Sequence, residues 1–128
     1  MKRFVIFAAS IAMIALTGCS KIDIDSNDLM GTYWTGTLHH SDYAQDEYDN
    51  VSFEFDYGHA DFTYLEYATN ETEEGVALYE ANGKVISFSK ANTLIDGPWT
   101  ITIAKGERMA LERSHEDKML TLELIRRR

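Results

Sequence analysis

Residue types that carry out catalysis are sparse in this chain of 128 residues. No Gly-x-Ser-x-Gly pattern supplies an activated serine, and the one cysteine, Cys19, follows an apolar N-terminal segment. His39 and His40 are adjacent in a predicted strand, where neighbouring side chains point to opposite faces, so the two cannot bind one metal ion. His59 and His115 fall at a predicted turn and in a predicted loop. The sequence therefore predicts neither an enzyme nor a histidine metal site.

Carboxylates are dense in residues 41–49, Ser-Asp-Tyr-Ala-Gln-Asp-Glu-Tyr-Asp. Oxygen ligands at this density could bind a hard cation, but the segment lacks the spacing and the glycine of an EF-hand loop. We interpret it, and the similar segment 69–74, as solvated acidic loops with no metal. Tyr43 and Tyr48 are the predicted partner-binding residues, because exposed tyrosine is favoured at interfaces.

The N-terminus has the layout of a secretion signal. The basic pair Lys2-Arg3 precedes an apolar run at residues 4–16. A transmembrane helix needs about 20 apolar residues, whereas a charged start followed by a short apolar run is typical of a signal peptide. The run ends in Leu16-Thr17-Gly18-Cys19, which resembles the lipobox of bacterial lipoproteins.

The lipobox resemblance implies transfer of a diacylglyceryl group to the Cys19 thiol, cleavage after residue 18 and acylation of the new amino group. Residues 1–18 are then a lipoprotein signal peptide, 19–29 a flexible lipidated tether, and 30–128 a single domain. A lone cysteine in a secreted protein calls for such an explanation. Ser20 resembles the residue that follows the cysteine in lipoproteins sent to the outer membrane, and the acidic residues after it resemble surface-display signals. We therefore expect an outer-membrane protein of the cell envelope, anchored through Cys19.

The charge is strongly acidic and unevenly distributed. Removal of the signal with its two basic residues would change the net charge from −9 to −11. Between residues 22 and 83 there are 15 carboxylates and no lysine or arginine, whereas the segment from Lys84 onward has nine basic residues. Such a surface repels nucleic acid. The composition excludes a nucleic-acid-binding protein and leaves a basic protein as a possible partner.

Period-2 alternation of apolar and polar residues recurs from residue 30 to the end, with turn signals between the runs and no sustained helical period. Aromatic and β-branched residues, which suit strands, fill these runs. The predicted strands are 32–40, 50–57, 60–68, 75–81, 84–90, 98–104, 107–113 and 118–125.

The turn residues predict the register of four hairpins, since turn type and loop length set which residues face each other. The predicted turns are 57–58, 82–83, a three-residue loop at 104–106 with its glycine at positive φ, and a four-residue loop at 114–117. The resulting pairs are Phe53–Phe62, Tyr79–Ile86, Ile101–Met109, Leu111–Leu120, Met109–Leu122 and, on the outer face, Arg108–Glu123.

Eight sequential antiparallel strands with one apolar face each favour closure, because closure removes unpaired edges. The predicted fold is an all-β, up-and-down meander barrel. Gly31-Thr32-Tyr33-Trp34 resembles the Gly-x-Trp motif that begins the first strand of lipocalins and their small bacterial relatives. The resemblance implies a lipocalin-like barrel that can hold an apolar cavity. The expected ligand contacts are Trp34, Phe53, Phe62, Tyr64 and Tyr79.

Two functions follow from these observations, and neither involves a cofactor. The first is a non-enzymatic lipoprotein that binds a small apolar ligand or lipid in its barrel. The alternative is a protein-interaction lipoprotein with a filled barrel, acting as an inhibitor of a basic enzyme or as an accessory subunit of an envelope complex. An eight-stranded barrel is just wide enough for side chains to fill it or for one small ligand. A cavity open at one end would favour the first function, and a filled barrel the second.

Overall fold

A computed structural model describes residues 22–128, so Cys19 and the signal segment lie outside the described residues. The described chain forms nine strands and one short helix. The strands are β1 Ile24–Asp25, β2 Tyr33–His40, β3 Asp49–Phe55, β4 His59–Leu65, β5 Thr72–Gly83, β6 Val85–Ser89, β7 Gly97–Lys105, β8 Arg108–His115 and β9 Lys118–Arg126, and the helix is α1 Ser26–Leu29. In the part of the chain that the structure describes, no helix has the length and apolar composition needed to cross a membrane.

Strands β2 to β9 form one closed antiparallel barrel. Each strand pairs with the next one in sequence, and β9 returns to pair with β2 along Trp34–His40. This closed eight-stranded up-and-down meander confirms the predicted fold class. The short β1 lies outside the ring and pairs with the end of β5 at Asn82 and Gly83.

The interior is built from alternate residues of every barrel strand. Phe53, Leu38 and Trp99 are fully buried, and outward neighbours such as Glu54 are exposed. The four residues predicted to share the interior of β8 and β9 are all buried, namely Met109, Leu111, Leu120 and Leu122. The period-2 pattern therefore assigns the inward face correctly.

The register of the β3–β4 hairpin is also as predicted. Its turn lies at residues 57–58, and Phe53 pairs with Phe62. Asp56 N–H donates to His59 O across the turn at 2.8 Å.

The other three hairpin registers are wrong by two residues, and between the bulge and the turn of the β7–β8 hairpin, where Ile103 pairs with Ala110, the shift is three. The observed pairs are Tyr79–Phe88, Ile101–Leu111, Leu111–Leu122 and Met109–Leu124. The turns are two-residue turns at 83–84, 106–107 and 116–117, and the extra residue of the β7–β8 hairpin lies in a bulge at Thr102 instead of in the loop. A shift of two residues keeps every side chain on its own face, so the hydrophobic pattern cannot detect it.

The predicted Arg108–Glu123 pair is wrong for the same reason. Arg108 pairs with Ile125, and Glu123 lies opposite Ala110. The β8–β9 turn consists of Glu116 and Asp117, both at positive φ, at 51° and 65°. This is the backbone pattern of a type I′ turn, which Asn-Gly usually provides, so nothing in its sequence marked its position.

The two ends of the barrel differ, and we name them by their contents. The helix end holds α1, the turns at 56–58, 83–84 and 106–107, and the C-terminus of β9. The loop end holds the loops 41–48, 66–71 and 90–96 and the turn at 116–117.

The segment before residue 30, expected to be part of a flexible tether, packs against the helix end. Asp25 caps α1 by accepting from the N–H groups of Asn27 and Asp28, and Leu29 is buried. Ser26 Oγ accepts from Ala81 N–H at 3.0 Å. These contacts bind the segment to β5, so the ordered domain begins before residue 30.

Gly36 permits close approach of β2 and β9, the seam that closes the barrel. A Cβ atom at this position would lie 1.8 Å from the carbonyl oxygen of Glu123, far inside van der Waals contact. Only glycine, which has no Cβ, fits here without backbone movement.

Candidate functional site

The five residues predicted to bind a ligand all lie in the barrel interior. Each is at most 7% exposed, and they belong to one core cluster, which includes Trp34, Phe53, Phe62, Tyr64 and Tyr79. Their role as ligand contacts stays a prediction. Their observed role is packing.

Aromatic rings occupy the middle of the barrel. The Phe53 ring stacks on Phe88 and on Phe55, at 5.0 and 5.7 Å between ring centroids, and Phe55 meets Tyr79 edge-on at 4.9 Å. Offset stacks and edge-to-face contacts at these distances are favourable packing arrangements for aromatic rings. The space that a ligand would need is therefore taken by side chains at this level of the barrel.

Hydrogen bonds close the helix end. Trp34 Nε1 donates to Thr32 Oγ1 at 2.8 Å, and Thr32 Oγ1 donates to the carbonyl of Leu29 at 2.5 Å. The Tyr79 hydroxyl donates to Asp56 O at 2.8 Å. Buried polar groups are stable only when bonded in this way, and these bonds fasten α1 and the 56–58 turn over the core.

The loop 90–96 covers part of the loop end. Ile95 is fully buried, and its carbonyl accepts from Trp99 Nε1 at 2.7 Å. Arg113 donates to Leu94 O at 2.6 Å, and its guanidinium carbon lies 5.2 Å from the Trp99 ring centroid. Burial lowers the pKa of Arg113.

The rest of the loop end is organised around Asp49, whose side chain is fully buried. Its Oδ2 accepts from His40 Nε2 at 3.0 Å and from the Tyr64 hydroxyl at 2.5 Å. Its Oδ1 accepts from the Tyr67 N–H at 2.8 Å and from the Tyr43 hydroxyl at 3.3 Å. Four donors from β2, β4 and two loops thus satisfy one carboxylate. We refer to these five residues as the Asp49 cluster.

Burial in the cluster shifts the tyrosines toward their neutral, donating form. Desolvation, reinforced by the charge of Asp49, raises the pKa of Tyr43 to about 12. Desolvation and the hydrogen bond to Asp49 raise the pKa of Tyr64 still further above its ordinary value. Both hydroxyls therefore remain protonated throughout the physiological range, as donors to a carboxylate must.

The His40–Asp49 pair has the geometry of a general base and its orienting carboxylate. The free ring nitrogen, Nδ1, lies 3.9 Å from a carboxylate oxygen of Asp42, and no serine, threonine or cysteine side chain within residues 22–128 hydrogen-bonds to His40. The Tyr43 ring stacks on the imidazole at 4.2 Å between centroids. Together with the Tyr43 contacts, the pair ties loop 41–48 to the barrel.

Asp49 was expected to belong to a solvated loop, and that interpretation is wrong for this residue. The signal that could have identified it is its parity, since Asp49 continues the inward series Val51, Phe53, Phe55 back along β3. His40 likewise continues the inward series of β2. Across residues 22–128 no group of three or more histidine, cysteine, aspartate or glutamate side chains is placed to hold a metal ion.

The two predicted partner-binding tyrosines differ in exposure. Tyr43 is half-buried in the Asp49 cluster, whereas Tyr48 is 42% exposed. Tyr67, which sequence reasoning missed, is 51% exposed. Tyr48 and Tyr67 line an open groove of about 510 Å³ on the outside of the loop end, together with Asn50, Leu65, Glu66, Ala68 and Asn70. We call this the loop-end groove.

The loop end is also the acidic end of the molecule. Loops 41–48 and 66–71 have five carboxylates and no lysine or arginine, turn 116–117 adds two more, and loop 90–96 has one charge of each sign, Lys90 and Asp96. Lys118 pairs with Asp42 at 3.3 Å and offsets one of them. The helix end has charges of both signs, since its six basic residues, Lys84, Lys105, Arg108, Arg126, Arg127 and Arg128, are accompanied by the carboxylates of Asp23, Asp25, Asp28, Asp56 and Glu107.

Comparison of the chain with models of protein families, with curated proteins and with solved structures found no match.

Proposed function

We propose that this chain is a non-enzymatic lipoprotein of the bacterial outer membrane, anchored through Cys19, that uses the outside of its barrel to bind a basic protein partner. The observation that favours this function over ligand storage is the filling of the interior. Stacked rings occupy the middle of the barrel, and hydrogen-bonded segments cover both ends. An apolar ligand could enter only by displacing buried side chains.

The direction in which the chain enters the domain supports the same proposal. Residues 22–29 pack at the helix end, so a lipid on Cys19 would hold that end toward the membrane. The five residue-to-residue steps from Cys19 to Ile24 span at most about 18 Å when extended. The acidic loop end would then point away from the bilayer and its anionic headgroups.

The exposed features of the loop end suit an interaction surface. Tyrosine is enriched in protein interfaces because it combines a large apolar ring with a hydrogen-bonding hydroxyl. In the loop-end groove Tyr48 and Tyr67 are flanked by Glu66, and more carboxylates lie in the adjoining loops. Such a surface would attract a basic partner and repel an acidic one.

In vivo photocross-linking tests the interaction. A benzophenone amino acid would replace Tyr48 in the full chain, with a matched replacement of Ile103 on β7 as the control. We expect a discrete adduct with one basic protein, identified by mass spectrometry, from position 48 only, and its loss when Glu66→Lys reverses a groove charge. Equal adducts from both positions, or none, would contradict the proposal.

Two further measurements test the anchor and the filled barrel. Cys19→Ala should move the protein from the detergent phase to the aqueous phase on phase partitioning, because it removes the acylation site. An apolar fluorescent probe should show no saturable binding to the folded protein. Saturable binding of that probe at one site would instead favour a protein that binds an apolar ligand in its barrel.

A further inference from the structure

One stretch of strand edge in the barrel has no neighbouring strand. β5 pairs with β4 along residues 72–78, but β6 pairs with β5 only along residues 78–82. β6 ends at Ser89, and residues 90–96 form a loop before β7. Within residues 22–128, therefore, no strand covers the β6 side of residues 72–77. Residues 72–76 are all exposed.

The alternation of backbone groups identifies which atoms this edge presents. Tyr79 N–H donates to Gly58 O on the β4 side at 3.3 Å, and Ala81 N–H donates to Ser26 Oγ on the same side. Peptide groups of alternate residues in an antiparallel strand point to opposite edges. The N–H and C=O groups of Thr72, Glu74 and Val76 consequently point toward the open side.

The side chains along this edge have one sign of charge and a small apolar area. Glu71, Glu73 and Glu74 are exposed, and Val76 is 54% exposed. Natural proteins guard open edges with charge because an unguarded edge pairs with other chains. Here the charged side chains on the edge are all acidic, so two copies of this edge would repel each other, whereas a basic strand would be attracted.

We propose that the open edge of β5, residues 72–77, takes up an extended lysine- or arginine-rich segment of a partner protein as an added strand. This inference depends on the proposed function, since it names how a basic partner binds. Main-chain hydrogen bonds to Thr72, Glu74 and Val76 supply affinity in strand addition, and alternate side chains supply specificity. Because alternate residues of a strand share a face, the basic side chains of the added strand would lie beside Glu74 and Val76 on the outer face, and its apolar side chains would lie on the opposite face, beside Gly75.

Two synthetic heptapeptides serve as probes, Thr-Lys-Val-Lys-Val-Lys-Thr and its matched acidic counterpart Thr-Glu-Val-Glu-Val-Glu-Thr. Each would be titrated into the full chain in detergent, with amide hydrogen exchange followed residue by residue. We expect saturable binding of the basic peptide and slower exchange at Glu74 and Val76. The Gly75 amide, which points to β4, should be unchanged, and the acidic peptide should not bind.

A proline variant tests the same edge by removing a donor. Val76→Pro deletes an N–H that faces the open side and leaves the β4 ladder intact, while Val76→Ala shortens the side chain and keeps the donor. We expect Val76→Pro to weaken binding about tenfold, as expected for a lost hydrogen bond, and Val76→Ala to stay within about twofold. If Val76→Pro fails to fold, the exchange data on the wild-type chain decide the question alone.

Three outcomes would overturn the proposal. They are the absence of saturable binding by the basic peptide, protection of amides in the loop-end groove with none at Glu74 and Val76, and unchanged affinity in a folded Val76→Pro variant. A concentration-dependent dimer seen by light scattering, lost in Val76→Pro, would assign the edge to a second copy instead. If the edge fails but the Tyr48 adduct persists, the proposed function stands and only this mode of binding falls.

Discussion

Replacing Asp49 with asparagine tests the Asp49 cluster most directly, because the two side chains have nearly the same shape. The carboxylate has two oxygens, and each accepts from two donors at distances of 2.5–3.3 Å. An amide keeps one oxygen and replaces the other with an NH2 group, which cannot accept a hydrogen bond. Whichever way the amide is turned, two of the four donors lose their acceptor.

The expected loss of stability follows from that count. A buried donor left without a partner costs about 1–3 kcal/mol, and two such donors would cost about 2–6 kcal/mol. A tyrosine hydroxyl can rotate to accept from the new NH2 group and recover part of this, so we expect about 2–4 kcal/mol. Asp46→Asn, in the exposed part of the same loop, should change stability by less than about 0.5 kcal/mol.

Urea unfolding followed by tryptophan fluorescence would measure both variants, on a soluble form that begins at Ser20. Equal slopes of free energy against urea concentration would show that the two unfolded states are comparable. If Asp49→Asn unfolds at the same urea concentration as Asp46→Asn, the carboxylate is not satisfied by buried donors and the structure of the loop end is wrong.

Two further predictions concern the stability of the protein at alkaline pH and the seam between β2 and β9. The pKa of Tyr43 is raised to about 12 and that of Tyr64 is also raised, so the unfolded chain loses these protons first, near pH 10. The stability that the two protonated hydroxyls contribute is therefore fully present below pH 10 and declines above it. Urea midpoints measured from pH 8 to 11 should fall less steeply in Tyr64→Phe than in wild type, and parallel curves would contradict this. Gly36→Ala should lower the free energy of unfolding by more than about 3 kcal/mol, since its Cβ would overlap Glu123 O. The control variant Thr37→Ala should cost less than about 1 kcal/mol in the same urea melts. Similar midpoints for the two variants would refute the close approach of β2 and β9.

The faces of the strands were determined by local sequence. Alternation with period two places every second residue on the same side, and turn glycines such as Gly83 and Gly106 do adopt positive φ, at 71° and 62°. The expectation that His39 and His40 point to opposite faces has the same basis. In the structure His40 Nε2 hydrogen-bonds to the buried carboxylate of Asp49. His39 Nε2 lies 3.2 Å from the carbonyl oxygen of Ala44 in loop 41–48.

Register was decided by the tertiary structure wherever a shift of two residues left the faces unchanged. The turn at Glu116 and Asp117 places two non-glycine residues at positive φ, a local cost that the pairing of two complete strands compensates. That pairing depends on β9 also pairing in register with β2, the barrel strand farthest from it in sequence. No short-range signal contains this constraint.

The loop end and the open edge also depend on long-range structure. Parity along β3 indicates that Asp49 points inward, but its donors lie 9, 6, 15 and 18 residues away along the chain, and only closure of the barrel brings them to one carboxylate. Similarly, the sequence indicates a strand near residues 75–81, but the open edge of β5 exists because β5 has 12 residues and its partner β6 has five. An unpaired edge is a property of two strand lengths and their register together, and local sequence determines neither.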